Sequence, residues 1–138
     1  MTQQAVRTAM TMGVRTRFTI AQVNAGATLV AAVKGMAHRI VDLTMIAIGG
    51  AAETATSVDI IGTRSAATVR PFVVAVAALT QSAVVKPNSA NVTVLADGAS
   101  YTALDENTAI TIGTQSGGSD LATATHIDVI LSYAAEEA

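Results

Sequence analysis

This sequence predicts an all-β fold, a two-sheet antiparallel sandwich, and two observations carry the prediction. Apolar and polar residues alternate with period two along much of the chain, the signature of strands half buried on a sheet. Turn-forming residues interrupt that alternation at intervals of about 8–12 residues, which indicates a sandwich or barrel and not alternating βα units.

In chain order, residues 1–14, rich in Gln, Thr and Met, read as an arm or an extra edge strand. Arg17–Val23 and Ala27–Val33 are short strand candidates separated by Asn24-Ala25-Gly26. Lys34-Gly35 turns the chain into Ile40–Ile48, where Val41, Leu43 and Met45 fall on one face and Asp42 and Thr44 on the other. Gly49-Gly50 ends that strand as a hairpin turn. In Thr56–Ile61, Val58 and Ile60 oppose Ser57 and Asp59. Thr68–Ala77 is a further strand, confined to an edge or a bulge because Pro71 has no N–H to give a ladder.

The stretch from Phe72 to Val85 mixes alanines that suit a helix with valines that suit strands. It reads as strand first, then a short helical or irregular turn around Ala78–Ser82, stopped by Lys86-Pro87-Asn88. Val92–Leu95 and Ala109–Gly113 follow, punctuated by Asp97-Gly98 and Gly117-Gly118. In the last strand Ile127, Val129, Leu131 and Tyr133 alternate with His126, Asp128 and Ser132, and the tail Ala134–Ala138 is expected to fray. With neither repeat nor linker, residues 15–138 form one domain.

Composition narrows the function. A chain of 138 residues suits a single domain, and a net charge of -2 with 51% hydrophobic residues argues against disorder. There is no cysteine, so disulfides, thiolate zinc sites and a Cys nucleophile are excluded. A pI near 5.5, no basic run and only 3% aromatics speak against nucleic-acid recognition, which needs a basic footprint or stacking platforms. The longest apolar run, Phe72 to Leu79, is far short of the ~20 residues of a membrane-spanning helix. Near Arg7, Arg15 and Arg17 no apolar core of a secretory signal appears, so a soluble, unexported chain is expected.

The charged fraction is 13%, about half that of an ordinary globular protein. Ala (28 residues) and Thr (19) are abundant, and with Ser, Asn and Gln they must cover the surface. Such a surface is cheap to desolvate, because burying it strands few ions. A subunit whose sides are covered by other proteins is the expectation.

Motifs of chemistry are missing. No phosphate loop or dinucleotide fingerprint follows Gly49-Gly50, and no Gly-x-Ser-x-Gly elbow surrounds any serine. His38 and His126 read as surface histidines, since nothing in the sequence gives either the geometry of a general base. Asp97, Asp105 and Glu106 cluster, and Asp120 precedes Asp128, yet a calcium loop with its many oxygen ligands is absent. No catalytic residue, cofactor or metal is assigned, and an enzyme is not expected.

Three stretches carry a resemblance: FTIAQVNAGATLVAAV (Phe18–Val33), HRIVDLTMIAIGG (His38–Gly50) and Thr108–Tyr133, which closes with ATATHIDVILSY. Together they are similar to the jelly-roll decoration, or cement, proteins that stud the heads of tailed bacteriophages, themselves similar in form to tumour-necrosis-factor-like sandwiches. The resemblance implies a jelly-roll subunit, a homotrimer, seated on the outer capsid surface of the virion and bridging neighbouring major capsid proteins. It carries no site residue with it. From the residues themselves, the contact candidates are Arg7 in the N-terminal arm, then Arg15 and Arg17, which alternate onto one strand face. Neither nucleic acid nor membrane is an expected partner.

The alternative from another class is a glycan- or receptor-binding head of a phage fibre or tail. Tyr101, in a loop flanked by Asp97 and Asp105, is the residue that favours it.

Overall fold

A computed structural model describes residues 11–115 and 118–137. The proposed arm up to Met10, with Arg7, and Gly117 of one proposed turn lie outside them. In chain order the strands are β1 (Thr11–Thr19), β2 (Ala27–Val30), β3 (Met36–Ile48), β4 (Ala52–Glu53) and β5 (Ser57–Arg64). They continue as β6 (Ala67–Ala75), β7 (Val92–Val94), β8 (Ile110–Thr114), β9 (Ala122–Thr123) and β10 (His126–Glu137). One sheet has the order β1-β10-β3, a second the order β2-β8-β5-β6-β7, and β4 pairs with β9 alone. Every ladder is antiparallel, so the fold is an all-β sandwich.

The alternation in the sequence places the core between the sheets. Ile127, Val129 and Leu131 of β10 are buried with Leu43, Met45 and Ala47 of β3 and Phe18 of β1. Facing them are Val58 and Ile60 of β5, Phe72 and Val74 of β6, and Ile110 and Ile112 of β8. Most of these side chains are aliphatic, and stabilisation follows apolar area at ~25 cal/mol per Å². The core therefore works by many modest contributions, with Phe72 its largest fully buried side chain.

Several local expectations need correction. The strand drawn over Arg17–Val23 ends at Thr19, and Ile20–Ala25 is a short helix, α1. Thr19 caps it in a box: its hydroxyl accepts from the Gln22 N–H, and the Gln22 side chain accepts from the Thr19 N–H. Gly26 closes α1 at φ 82, which is why Asn24-Ala25-Gly26 looked like a plain turn. Among the described residues β1 runs Thr11–Thr19 at the edge of its sheet and spans the boundary drawn between residues 14 and 15.

The β3–β10 ladder shifts register at Ser132/Tyr133, where Ser132 faces Asp42 but Tyr133 faces Ile40. Val41 is the extra residue, and its side chain goes out while Ile40 and Leu43 go in. Pro71 also sits at a bulge: β6 lies between β5 and β7, and Arg70-Pro71 together oppose Ile61 between the pairs Ile60–Phe72 and Gly62–Val69. Past β6 the chain makes a 3-10 turn at Val76–Ala78 and then an irregular segment. That segment returns alongside β3, where Met45 and Val85 exchange both backbone hydrogen bonds. The described part of the tail expected to fray, residues 134–137, is paired instead, since β10 runs on to Glu137 opposite Met36.

His38 is not a surface residue. It is 1% exposed, its Nε2 donates to the Ala31 carbonyl, and its ring meets Tyr133 edge-on at 5.3 Å. No described helix is long and apolar enough to cross a membrane.

Candidate functional site

The register of the three-stranded sheet decides what its outer face carries. Across one row Arg15 of β1 lies beside Ile130 of β10, and Ile130 beside Thr44 of β3. Across the next, Arg17 lies beside Asp128, and Asp128 beside Ile46. Arg15 and Arg17 thus share one face of β1, as their spacing implies. Two residues apart along a strand is one full pleat.

Their surroundings differ. Arg17 donates through Nε and Nη2 to the two carboxylate oxygens of Asp128, at 2.6 and 2.9 Å. The Asp128 side chain is only 6% exposed and Arg17 covers it. The Arg17 hydrogen bonds hold the Asp128 carboxyl below the ordinary carboxylate range, with Arg15 and His126 adding smaller electrostatic contributions. Arg15 is exposed and has no hydrogen-bond or ion-pair partner among the described residues. Lys86 reaches over the outer edge of β3 to the Thr44 hydroxyl at 2.8 Å and lies 3.9 Å from Asp42.

The second sheet has a counterpart. Asp59, 1% exposed on β5, accepts from the Ser57 hydroxyl at 2.6 Å and from Arg70 across the β6 bulge. Each sheet therefore carries on its outer face a buried aspartate that a neighbouring strand's arginine neutralises. At one end of the first sheet Arg39 of β3 binds both oxygens of Glu136, which lowers the Glu136 carboxyl.

The other candidate chemistry disperses. Asp105 accepts the backbone N–H groups of Ser65 and Ala66, which lower its carboxyl and commit it to the β5–β6 turn. Tyr101 stacks edge-on against Phe72 at 5.8 Å. Asp128 is engaged by Arg17 and His126 faces the Thr125 hydroxyl, so neither forms a set with Asp120. Among the described residues no group of three or more His, Asp or Glu side chains is arranged to hold a metal ion.

The outer face also shows apolar groups that no sequence motif marks. Ile130, Val41 and Val84 are substantially exposed. The alternation of β10 already turned Ile130 outward, whereas Val41 depends on the bulge and Val84 on the return of residues 81–86. Compared with family models, curated proteins and solved structures, the chain matches none of them.

Proposed function

We propose that this protein is a jelly-roll subunit that decorates the outer surface of a phage capsid and stabilises the shell by bridging major capsid proteins. The observation that carries the reading is the nested order of the ladders. Among the antiparallel pairings, β1 joins β10, β2 joins β8, β5 joins β6 and the 81–86 segment bridges β3 at Val85, with β3–β10 and β5–β8 linking these pairs into sheets and β7 and β4–β9 outside the scheme. Counted as eight successive segments, the first pairs with the last and each inner pair nests within the one outside it. A ribbon folded on itself and rolled into two sheets has this order, which is the order of a jelly roll. It supports the resemblance carried by the strands from Phe18 to Tyr133.

A homotrimer fits the physics. A core of small aliphatic residues gains from further area buried between copies, and cyclic closure leaves no growing end. Contacts with the shell act together: once one subunit is seated, the others bind at high effective concentration. Because the trimer binds the assembled lattice and not scattered capsid subunits, it stabilises the shell by mass action.

The test is light scattering followed by addition to undecorated shells and imaging. A trimer that coats the shells and raises their resistance to heat is the expected result. A monodisperse monomer that ignores them overturns the reading.

A further inference from the structure

Three of the six exposed large apolar residues among those described lie on one face. Ile130 (39%), Val41 (42%) and Val84 (60%) belong to the outer side of the three-stranded sheet and the segment bonded to its edge, whereas Val33, Met12 and Tyr101 lie elsewhere. Val85 packs inward against Met45, and Lys86 reaches Thr44 on the outside, so Val84 faces outward with Lys86. Half-buried Ile46, one row from Ile130 on β3, extends the apolar surface toward Val84. Ile130, Ile46 and Val84, close together on this face, offer an apolar surface that another protein can cover.

The charges on that face indicate what covers it. Arg17 and Asp128 satisfy each other, and Lys86 rests on Thr44 beside Asp42. Arg15, next to Ile130, is left over, so the face is positive in a chain whose net charge is -2. Two copies stacked face to face by a twofold axis with aligned strands bring like charges together. An axis across the strands sets the Arg15–Arg17 row on itself, and an axis along them sets it over Lys86. Like charges brought together in an interface oppose its formation. A different protein, apolar and bearing a carboxylate opposite Arg15, meets no such conflict.

We propose that the outer face of the three-stranded sheet is the surface seated on the shell, against an apolar patch of the capsid protein that offers a carboxylate to Arg15. This rests on the decoration reading and adds to it which side faces the lattice.

The experiment is co-sedimentation of the full chain with undecorated shells, with light scattering and thermal melting of each variant. Ile130→Asp and Val84→Asp are each expected to weaken shell binding more than tenfold. Arg15→Glu is expected to do the same with only a small fall in melting, since Arg15 makes no hydrogen bond or ion pair among the described residues and adds only a smaller electrostatic contribution at Asp128. Thr93→Asp, on the outer side of β7 in the other sheet, is expected to bind like the wild type. If the wild type itself fails to sediment, the decoration reading falls and this assignment with it. If the wild type binds and Arg15→Glu and Val84→Asp bind equally well, decoration stands and the assigned face is wrong. Loss of the oligomer in Ile130→Asp or Val84→Asp would also overturn the assignment, by making this face a contact between copies.

Discussion

Arg17 and Asp128 stand directly opposite each other on β1 and β10, joined by two charge-assisted hydrogen bonds across the ladder. This fork fastens an edge strand to the centre of its sheet and closes over a carboxylate that is otherwise cut off from water. The two partners are not equally dependent on it. Arg17 keeps half its side chain in solvent, whereas Asp128 keeps almost none.

The asymmetry predicts the outcome of three substitutions. Arg17→Met retains an aliphatic cover and strands the carboxylate, and it is the most destabilising of the three. Arg17→Ala opens the site to water and costs less than Arg17→Met. Asp128→Asn leaves an arginine that solvent can hydrate, and it costs about 1 kcal/mol. Urea unfolding at neutral pH ranks the three, and a ranking with Asp128→Asn worst contradicts this account.

Acid is expected to destabilise the fold through three carboxyls. Arg17 lowers Asp128, Arg39 lowers Glu136, and the Ala66 and Ser65 N–H groups lower Asp105. A carboxyl lowered on folding stabilises the native state fully above its unfolded value of about 4 and loses that contribution as pH falls through the folded value. Stability should therefore decline from roughly pH 5 downward for these groups. The decline should be shallower in Asp128→Asn. Unfolding midpoints measured from pH 7 to pH 2.5 decide it.

Gly49 and Gly35 have similar backbone angles, φ 76 and φ 78, in different surroundings. A Cβ on Gly49 would stand 2.2 Å from the Thr125 hydroxyl, whereas one on Gly35 would meet nothing within 4 Å. Gly35→Ala should cost only the left-handed backbone penalty of about 1–2 kcal/mol. Gly49→Ala should cost that and a displaced Thr125, whose hydroxyl and N–H both bond to the Ile48 carbonyl. Equal melting temperatures for the two variants would refute the steric difference.

The β5–β6 hairpin turns on two residues, Ser65 and Ala66, both at positive φ (52 and 61). This is the two-residue turn that favours Asn-Gly, because both central residues are left-handed. Ser65→Asn with Ala66→Gly should stabilise the protein by about 0.5–1 kcal/mol. Asp105→Ala should lower the melting temperature by releasing the two turn N–H groups. Thermal melting of both variants measures the turn from opposite directions.

That hairpin shows where the sequence is silent. Nothing in Thr63-Arg64-Ser65-Ala66-Ala67 carries a turn signal, and the compensating group, Asp105, lies some forty residues away. His38 passed for a surface residue for the same reason, since its cover comes from Ala31 and Tyr133. Of the candidate contacts, the shared face of Arg15 and Arg17 was legible from spacing. That Arg17 is committed to Asp128 and Arg15 is not depends on a pairing 111 residues apart.

By itself the sequence determined the strand character of the chain, the inward set Val58, Ile60, Ile127, Val129 and Leu131, and the break near Pro71. These follow from period-two alternation and backbone chemistry, which act within a few residues. The tertiary structure alone decided the sheet order, the bulge that turns Val41 outward, the return of residues 81–86 along β3, and which aspartate meets which arginine. Those depend on register between distant segments, where a shift of one residue exchanges the two faces of a strand.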